Sequence, residues 1–354
     1  MRAGLSRRLT ENAQVTVSPE NFLQALDVDI TADPHSVKAH RSIPGYETLG
    51  LAAAAEMLDA VAGLGIKGVA VRVIDRPVSG REEWRGRRDA WVSAIGTLVE
   101  EAAARHLTVV VDPFSAALQP TGQWGLLSDL EPADGGTLGL IGDLTESIVA
   151  AKADGIVTLG RVPREVEVTK EVAGPDLRIH SFSTNSETSA AYAGNPAHAV
   201  TNQKILPGNI VDMLIWTLLD VHHGTDVLVT KPIENYHSMV ESRHLLGDLT
   251  ARVEFIAAVL DSGVLADRDY EREGLEAVLR DTAGFARKAK TVHLGAYTVS
   301  GTTQLLGVFA RAEGTDIARA RLAEIWVNAI AAGGSGMTII DRGASAYFSG
   351  TILH

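Results

Sequence analysis

The chain has 354 residues and no cysteine, and its 32 basic side chains face 44 acidic ones for a formal charge of -12. That balance repels a phosphate backbone, so nucleic acid is not an expected partner, and the absence of thiols excludes disulfides and thiolate metal sites. The longest apolar stretch, Ile210 to Val221, is interrupted by Asp212 and Asp220 and is shorter than the roughly 20 residues that cross a bilayer, so no membrane association is expected.

Met1 to Thr10 carries Arg2, Arg7 and Arg8 with no apolar run behind them, unlike a secretory leader, and a cytoplasmic location is the expectation. Residues 1–20 are polar and unpatterned, and read as an N-terminal arm outside the folded body. From there, short Val- and Ile-rich runs alternate with longer helical patterns, the signature of a parallel sheet covered by helices. The predicted strands are Leu26 to Ile30, Gly68 to Ile74, Leu107 to Val111, Gly155 to Leu159, Arg178 to Ser183, Asp226 to Thr230, Val292 to Tyr297 and Met337 to Ile340. Between them, Gly50 to Ala62, Ala90 to Arg105 and Ile210 to Val221 carry apolar residues at three- and four-residue spacings. Glycines at Gly63, Gly65, Gly224, Gly333 and Gly334 punctuate the helix ends. The segment 241–290 exceeds one helix. Its two patterns, Asp248 to Val259 and Tyr270 to Lys288, predict an extra helical insertion after the sixth strand.

Eight such units without a long linker predict an α/β fold, a single (β/α)8 TIM barrel over residues 21–354, with an open doubly wound sheet as the alternative. No glycine-rich phosphate loop of either common type is present.

The sharpest chemical signal is Thr225-Asp226-Val227-Leu228-Val229-Thr230-Lys231-Pro232. A lysine directly behind a buried run lies at the carboxyl end of its strand, where barrel active sites form, and a desolvated amine there can attack a carbonyl. The ordinary alternative is a strand-end lysine with its stem packed and its ammonium in water. Gly295 to Gly301 ends the next strand and supplies Tyr297 and Ser300, a phenol and a hydroxyl able to hold a carboxylate or relay a proton. Ser181 to Asn185 ends the strand on the other side and offers Ser183 and Asn185. His222 and His223 read as helix-end residues, His180 and His293 as strand residues of the core or near the site, and His237, after Lys231, as a proton carrier or the start of a helix, so no metal site is expected.

These patches resemble those of the porphobilinogen synthase (5-aminolevulinate dehydratase) family of Schiff-base barrels. Val229-Thr230-Lys231-Pro232 is similar to the family's Val-Lys-Pro, and Tyr297-Thr298-Val299-Ser300-Gly301 to its Tyr-Gln-Val-Ser-Gly-Glu. Val111-Asp112-Pro113-Phe114 resembles its Leu-Asp-Pro-Phe, and Ser42-Ile43-Pro44-Gly45 its Met-Pro-Gly turn. The departures are equally informative. The family's first substrate lysine falls on Asn185, its strand-three acid on Thr108, and its zinc-binding cysteines on Val110 and Asp112. Its acidic segment after strand four becomes Leu159-Gly160-Arg161-Val162-Pro163, its closing-strand tyrosine becomes Asp341, and the Glu of its Val-Ser-Gly-Glu becomes Thr302.

The resemblance therefore implies a divergent, metal-independent lyase with no cofactor, acting through Lys231 alone on 5-aminolevulinate or a related keto or amino-keto acid. Tyr297 or Asp341 would move protons. Ser300, Asn185, Ser183, Arg161 and Lys204, the last just before Leu206-Pro207-Gly208-Asn209, would bind substrate. The resemblance also implies a homo-oligomer. The alternatives are a true porphobilinogen synthase of tetrapyrrole synthesis and a catalytically silent binding paralogue.

Overall fold

Runs such as Val227-Leu228-Val229 and Ile339-Ile340 are apolar on both sides, so each must be covered on one face by its barrel neighbours and on the other by helices. The computed structural model describes residues 15–40, 45–118, 124–128, 131–132, 134–160, 162–186 and 205–350. The strands in chain order are β1 (Phe22–Asp29), β2 (Val37–Ala39), β3 (Glu47–Leu49), β4 (Gly68–Ile74), β5 (Thr108–Asp112), β6 (Leu127–Ser128) and β7 (Glu131–Pro132). They continue with β8 (Gly155–Thr158), β9 (Arg178–Ser181), β10 (Val227–Thr230), β11 (His293–Tyr297) and β12 (Thr338–Asp341).

Eight of these strands, β1, β4, β5, β8, β9, β10, β11 and β12, run parallel in that order, and β12 closes on β1 with Phe22 opposite Ile339 and Gln24 opposite Asp341. The result is a closed (β/α)8 barrel. β3 extends the sheet beside the end of β1, and β2 pairs antiparallel with β3.

The outer ring contains α1 (Leu51–Gly63), α2 (Arg81–Ala103), α3 (Asp134–Ala150), α4 (Glu165–Ala173) and α5 (Ile210–His223). Four helices lie between β10 and β11: α6 (Tyr236–Gly247), α7 (Leu249–Asp261), α8 (Asp269–Arg280) and α9 (Thr282–Ala289). Then come α10 (Ser300–Glu313), α11 (Thr315–Gly333) and α12 (Ala344–Ser349). The insertion after the sixth barrel strand is thus larger than the two patterns in the sequence predict. The pattern Tyr270 to Lys288 is two helices, because Asp281 leaves the helical conformation and its carboxylate accepts from Gly284 N at 2.8 Å, capping α9.

Of the proposed arm, residues 1–14 lie outside the described residues. Ser18 and Asn21 form a reciprocal capping box around the turn Pro19–Asn21, which leads directly into β1.

Two apolar cores flank the sheet. The larger fills the barrel and the space under most of the ring. The smaller joins α5 to the inserted helices through Leu218, Ile256, Leu275 and Phe285, and reaches β10 through Leu228. In the larger core Trp326 of α11 is fully buried, with ring centroids of Phe22 and Tyr347 at 4.5 and 4.6 Å. Among the described residues, no helix is long and apolar enough to cross a membrane.

Candidate active site

Side chains alternate along a strand, so the outward packing of Leu228 on the second core puts Val227 and Val229 inside the barrel, and Lys231 two residues further on. Its ammonium nitrogen lies 4.4 Å from the ring centroid of Phe182 and 5.0 Å from that of Tyr297. The backbone beneath it is pinned. Lys231 N donates to Thr184 O at 2.9 Å, and Lys231 O accepts from Ser186 N at 2.9 Å and from Asn235 Nδ2 at 3.1 Å.

The same alternation brings other polar groups to the mouth. Asp27 and Arg72 sit opposite one another in β1 and β4, and Arg72 and Asp112 in β4 and β5. Arg72 Nε donates to Asp27 Oδ1 at 2.9 Å and Arg72 Nη2 to Asp27 Oδ2, a two-pronged pair that fixes both groups. Asp112 accepts from Phe114 N at 2.9 Å; burial raises its pKa, opposed by that bond and by the charges of Arg72 and Lys231.

Arg342, just beyond β12, is buried with its guanidinium 4.9 Å from the Tyr297 ring and 5.2 Å from the Tyr46 ring. One of its nitrogens donates to Thr298 O at 3.3 Å, and its Nε has no acceptor among the described residues. The Tyr46 hydroxyl is also buried without a partner among them. Burial pushes the Tyr297 phenol well above its ordinary pKa despite the pull of Arg342, so it keeps its proton. Asp27 is committed to Arg72, so Arg342 is the cation of the mouth able to meet an anion although the whole chain is acidic.

The other residues singled out in the sequence fall in several places. Tyr297 faces Lys231. Ser300 is buried at the first turn of α10, and Asn185 is buried beside Lys231, joined to it by a single parallel bridge. Ser183 and Ser181 share a hydroxyl contact of 3.1 Å, and Ser181 donates to Asp220 of α5, so this pair turns towards the helix ring. Asp341 also turns outward: its carboxylate accepts from Trp326 Nε1 at 3.2 Å and Gly343 N at 2.6 Å, and burial raises its pKa. Arg161 and Lys204 lie outside the described residues. Thr108 opens β5 at the floor of the barrel, the end opposite Lys231.

His40 lies beside the mouth, its ring centroid 6.2 Å from that of Tyr46, with burial lowering its pKa, Asp27 raising it, and Arg72 and Arg342 lowering it. His180 is buried in β9, where desolvation lowers its pKa to about 3, and Gly155 gives it room: a Cβ there would come within 3.2 Å of the imidazole. His223 ends α5 and stacks on Tyr270 at 5.6 Å. His293 is exposed at the start of β11, and His237 is exposed in the first turn of α6. Among the described residues, no three His, Asp or Glu side chains group as metal ligands.

Asp27, Arg72 and Arg342 were not singled out in the sequence. Their signal is a charged residue near the carboxyl end of a predicted barrel strand, but the facing direction depends on how the barrel closes.

No family model and no curated protein matches the chain. Among solved structures, the porphobilinogen synthase of Toxoplasma gondii ME49, in complex with its reaction product porphobilinogen, superposes with a TM-score of 0.66 at 16% identity, covering 97% of this chain and 87% of that one. The citrate synthase SbnG covers 97% of this chain and 92% of its own at 13% identity, with a TM-score of 0.33. The first likeness shows the fold, a barrel of the kind seen in porphobilinogen synthase.

Proposed function

We propose that this chain is a Schiff-base enzyme that uses Lys231 to activate a keto or amino-keto acid such as 5-aminolevulinate. The observation that carries the reading is the Lys231 amine lying against both the Phe182 and the Tyr297 rings in a mouth that also holds Arg342. In the proposed chemistry the amine adds to the ketone to give a carbinolamine, and loss of water gives an iminium. The two aromatic faces favour that cation, and Arg342 holds the substrate carboxylate in a two-pronged contact. Tyr297, a phenol at working pH, passes a proton to the departing hydroxyl and takes one back from solvent, so that water leaves and no buried phenolate remains. Asp112 takes a proton from the carbon next to the iminium, giving an enamine ready for elimination or addition. Ser300 and Asn185 line the approach, while Asp341 acts as a positioning residue that fixes the end of β12 and thereby Arg342.

The test is reductive trapping. Incubation with 5-aminolevulinate, levulinate or pyruvate and borohydride is expected to add the reduced substrate mass to the peptide containing Lys231, and not to the Lys231→Ala protein. No adduct at Lys231 with any of the three would overturn the reading.

A further inference from the structure

The inserted helices enclose a second cavity of about 520 Å³ at the opposite end of the barrel, between α6, α7 and α9 and the first residues of β11. Its volume lies in the range of small-molecule sites. Arg252 of α7 lines it, although the side chain is only 2% exposed and stacks 4.7 Å from the Phe285 ring. One terminal nitrogen of that guanidinium donates to Leu245 O at 2.8 Å and Leu246 O at 3.3 Å, closing the end of α6, while Nε has no acceptor among the described residues. The carboxylate whose charge acts on it, Asp248, is exposed and accepts from Ala251 N at 3.0 Å as the cap of α7.

Arg243 and Lys290 add positive charge at the rim, and no acidic side chain is among the described residues that line the cavity. A buried cation without a carboxylate partner is costly, and an anion supplied from outside would offset that cost. Besides His293, the rest of the wall is largely apolar: Leu246 and Leu294 are half-buried, and Leu249 is 52% exposed although it faces the cavity.

We propose that this cavity binds a small organic carboxylate, its charged end on Arg252 and its aliphatic body against Leu246, Leu249 and Leu294. An inorganic anion would leave the leucines wet, and an uncharged alcohol would leave the guanidinium unpaired.

Calorimetric titration of the intact protein with hexanoate, inorganic phosphate and 1-hexanol tests this. Hexanoate is expected to saturate a site, with phosphate and hexanol at least tenfold weaker. Arg252→Met should abolish the binding, and because that protein could fail to fold, Leu249→Glu provides a surface variant that should weaken it at least tenfold. Arg342→Ala, at the other end of the barrel, should leave it unchanged. No saturable hexanoate binding, phosphate binding as tight as hexanoate, or an affinity unaltered by Leu249→Glu would each overturn the proposal.

Discussion

At the scale of single residues, the roles proposed for the mouth separate by chemistry. Arg342 should matter only to substrates with a carboxylate. In Arg342→Ala, the concentration of levulinate giving half-maximal borohydride trapping at Lys231 should rise about 10- to 100-fold, the loss of one charge-assisted contact, while that of acetone should stay within about twofold. Equal effects on both ketones would remove Arg342 from substrate binding.

Asp220 makes a different prediction. It is buried under β9, its carboxylate accepts from Ser181, and burial raises its pKa to about 7. A carboxyl group whose folded pKa lies above its unfolded one contributes stability below the unfolded pKa and loses it as pH rises through the folded pKa. The Asn variant carries no charge, so Asp220→Asn should gain stability relative to the parent as pH rises from 4 to 8, by up to about 4 kcal/mol. Urea denaturation at pH 5 and pH 8 measures this, and a difference independent of pH would contradict it.

At the scale of elements, the turns that end the strands set the shape of the mouth. Gly160, after β8, has φ near 63°, and a Cβ there would lie 2.5 Å from Ser183 Cα. Gly160→Ala should therefore cost about 1–3 kcal/mol or more in thermal or urea denaturation, from strain and displacement of the segment after β9. Retention of full stability would show that this loop relaxes freely.

Much of the element pattern was legible because buried parallel strands read as continuous apolar runs: β4 matches the prediction residue for residue, and β10 differs at one end. β1 was predicted short and late. Gln24 and Asp27 interrupt its apolar run, yet both are buried with partners: Gln24 Nε2 donates to Arg342 O at 2.8 Å, and Asp27 is held by Arg72. The start of α2 was hidden by the charged run around Arg85 to Asp89, although Trp84 and Trp91 pack edge to face at 4.9 Å inside it. Lys231 and Tyr297 were visible at predicted strand ends, whereas Asp27, Arg72 and Arg342 gain meaning only from which way the closed barrel turns them.

At the scale of the whole molecule, β10 touches both apolar cores, Val227 and Val229 facing one and Leu228 the other, as does β11 through Ala296 and Leu294. The inserted helices and α5 form a mass that could loosen without opening the barrel. In native-state hydrogen exchange, amides of α7 and α8 should share one opening free energy below that of β4 and β5, and Leu218→Ala should lower the former while leaving the latter nearly unchanged. A single common value throughout would show that the chain opens as one unit. The reactive amine would then stand on the seam between two melting bodies, so that loosening on the outer side is felt at the chemistry without any ligand entering the mouth.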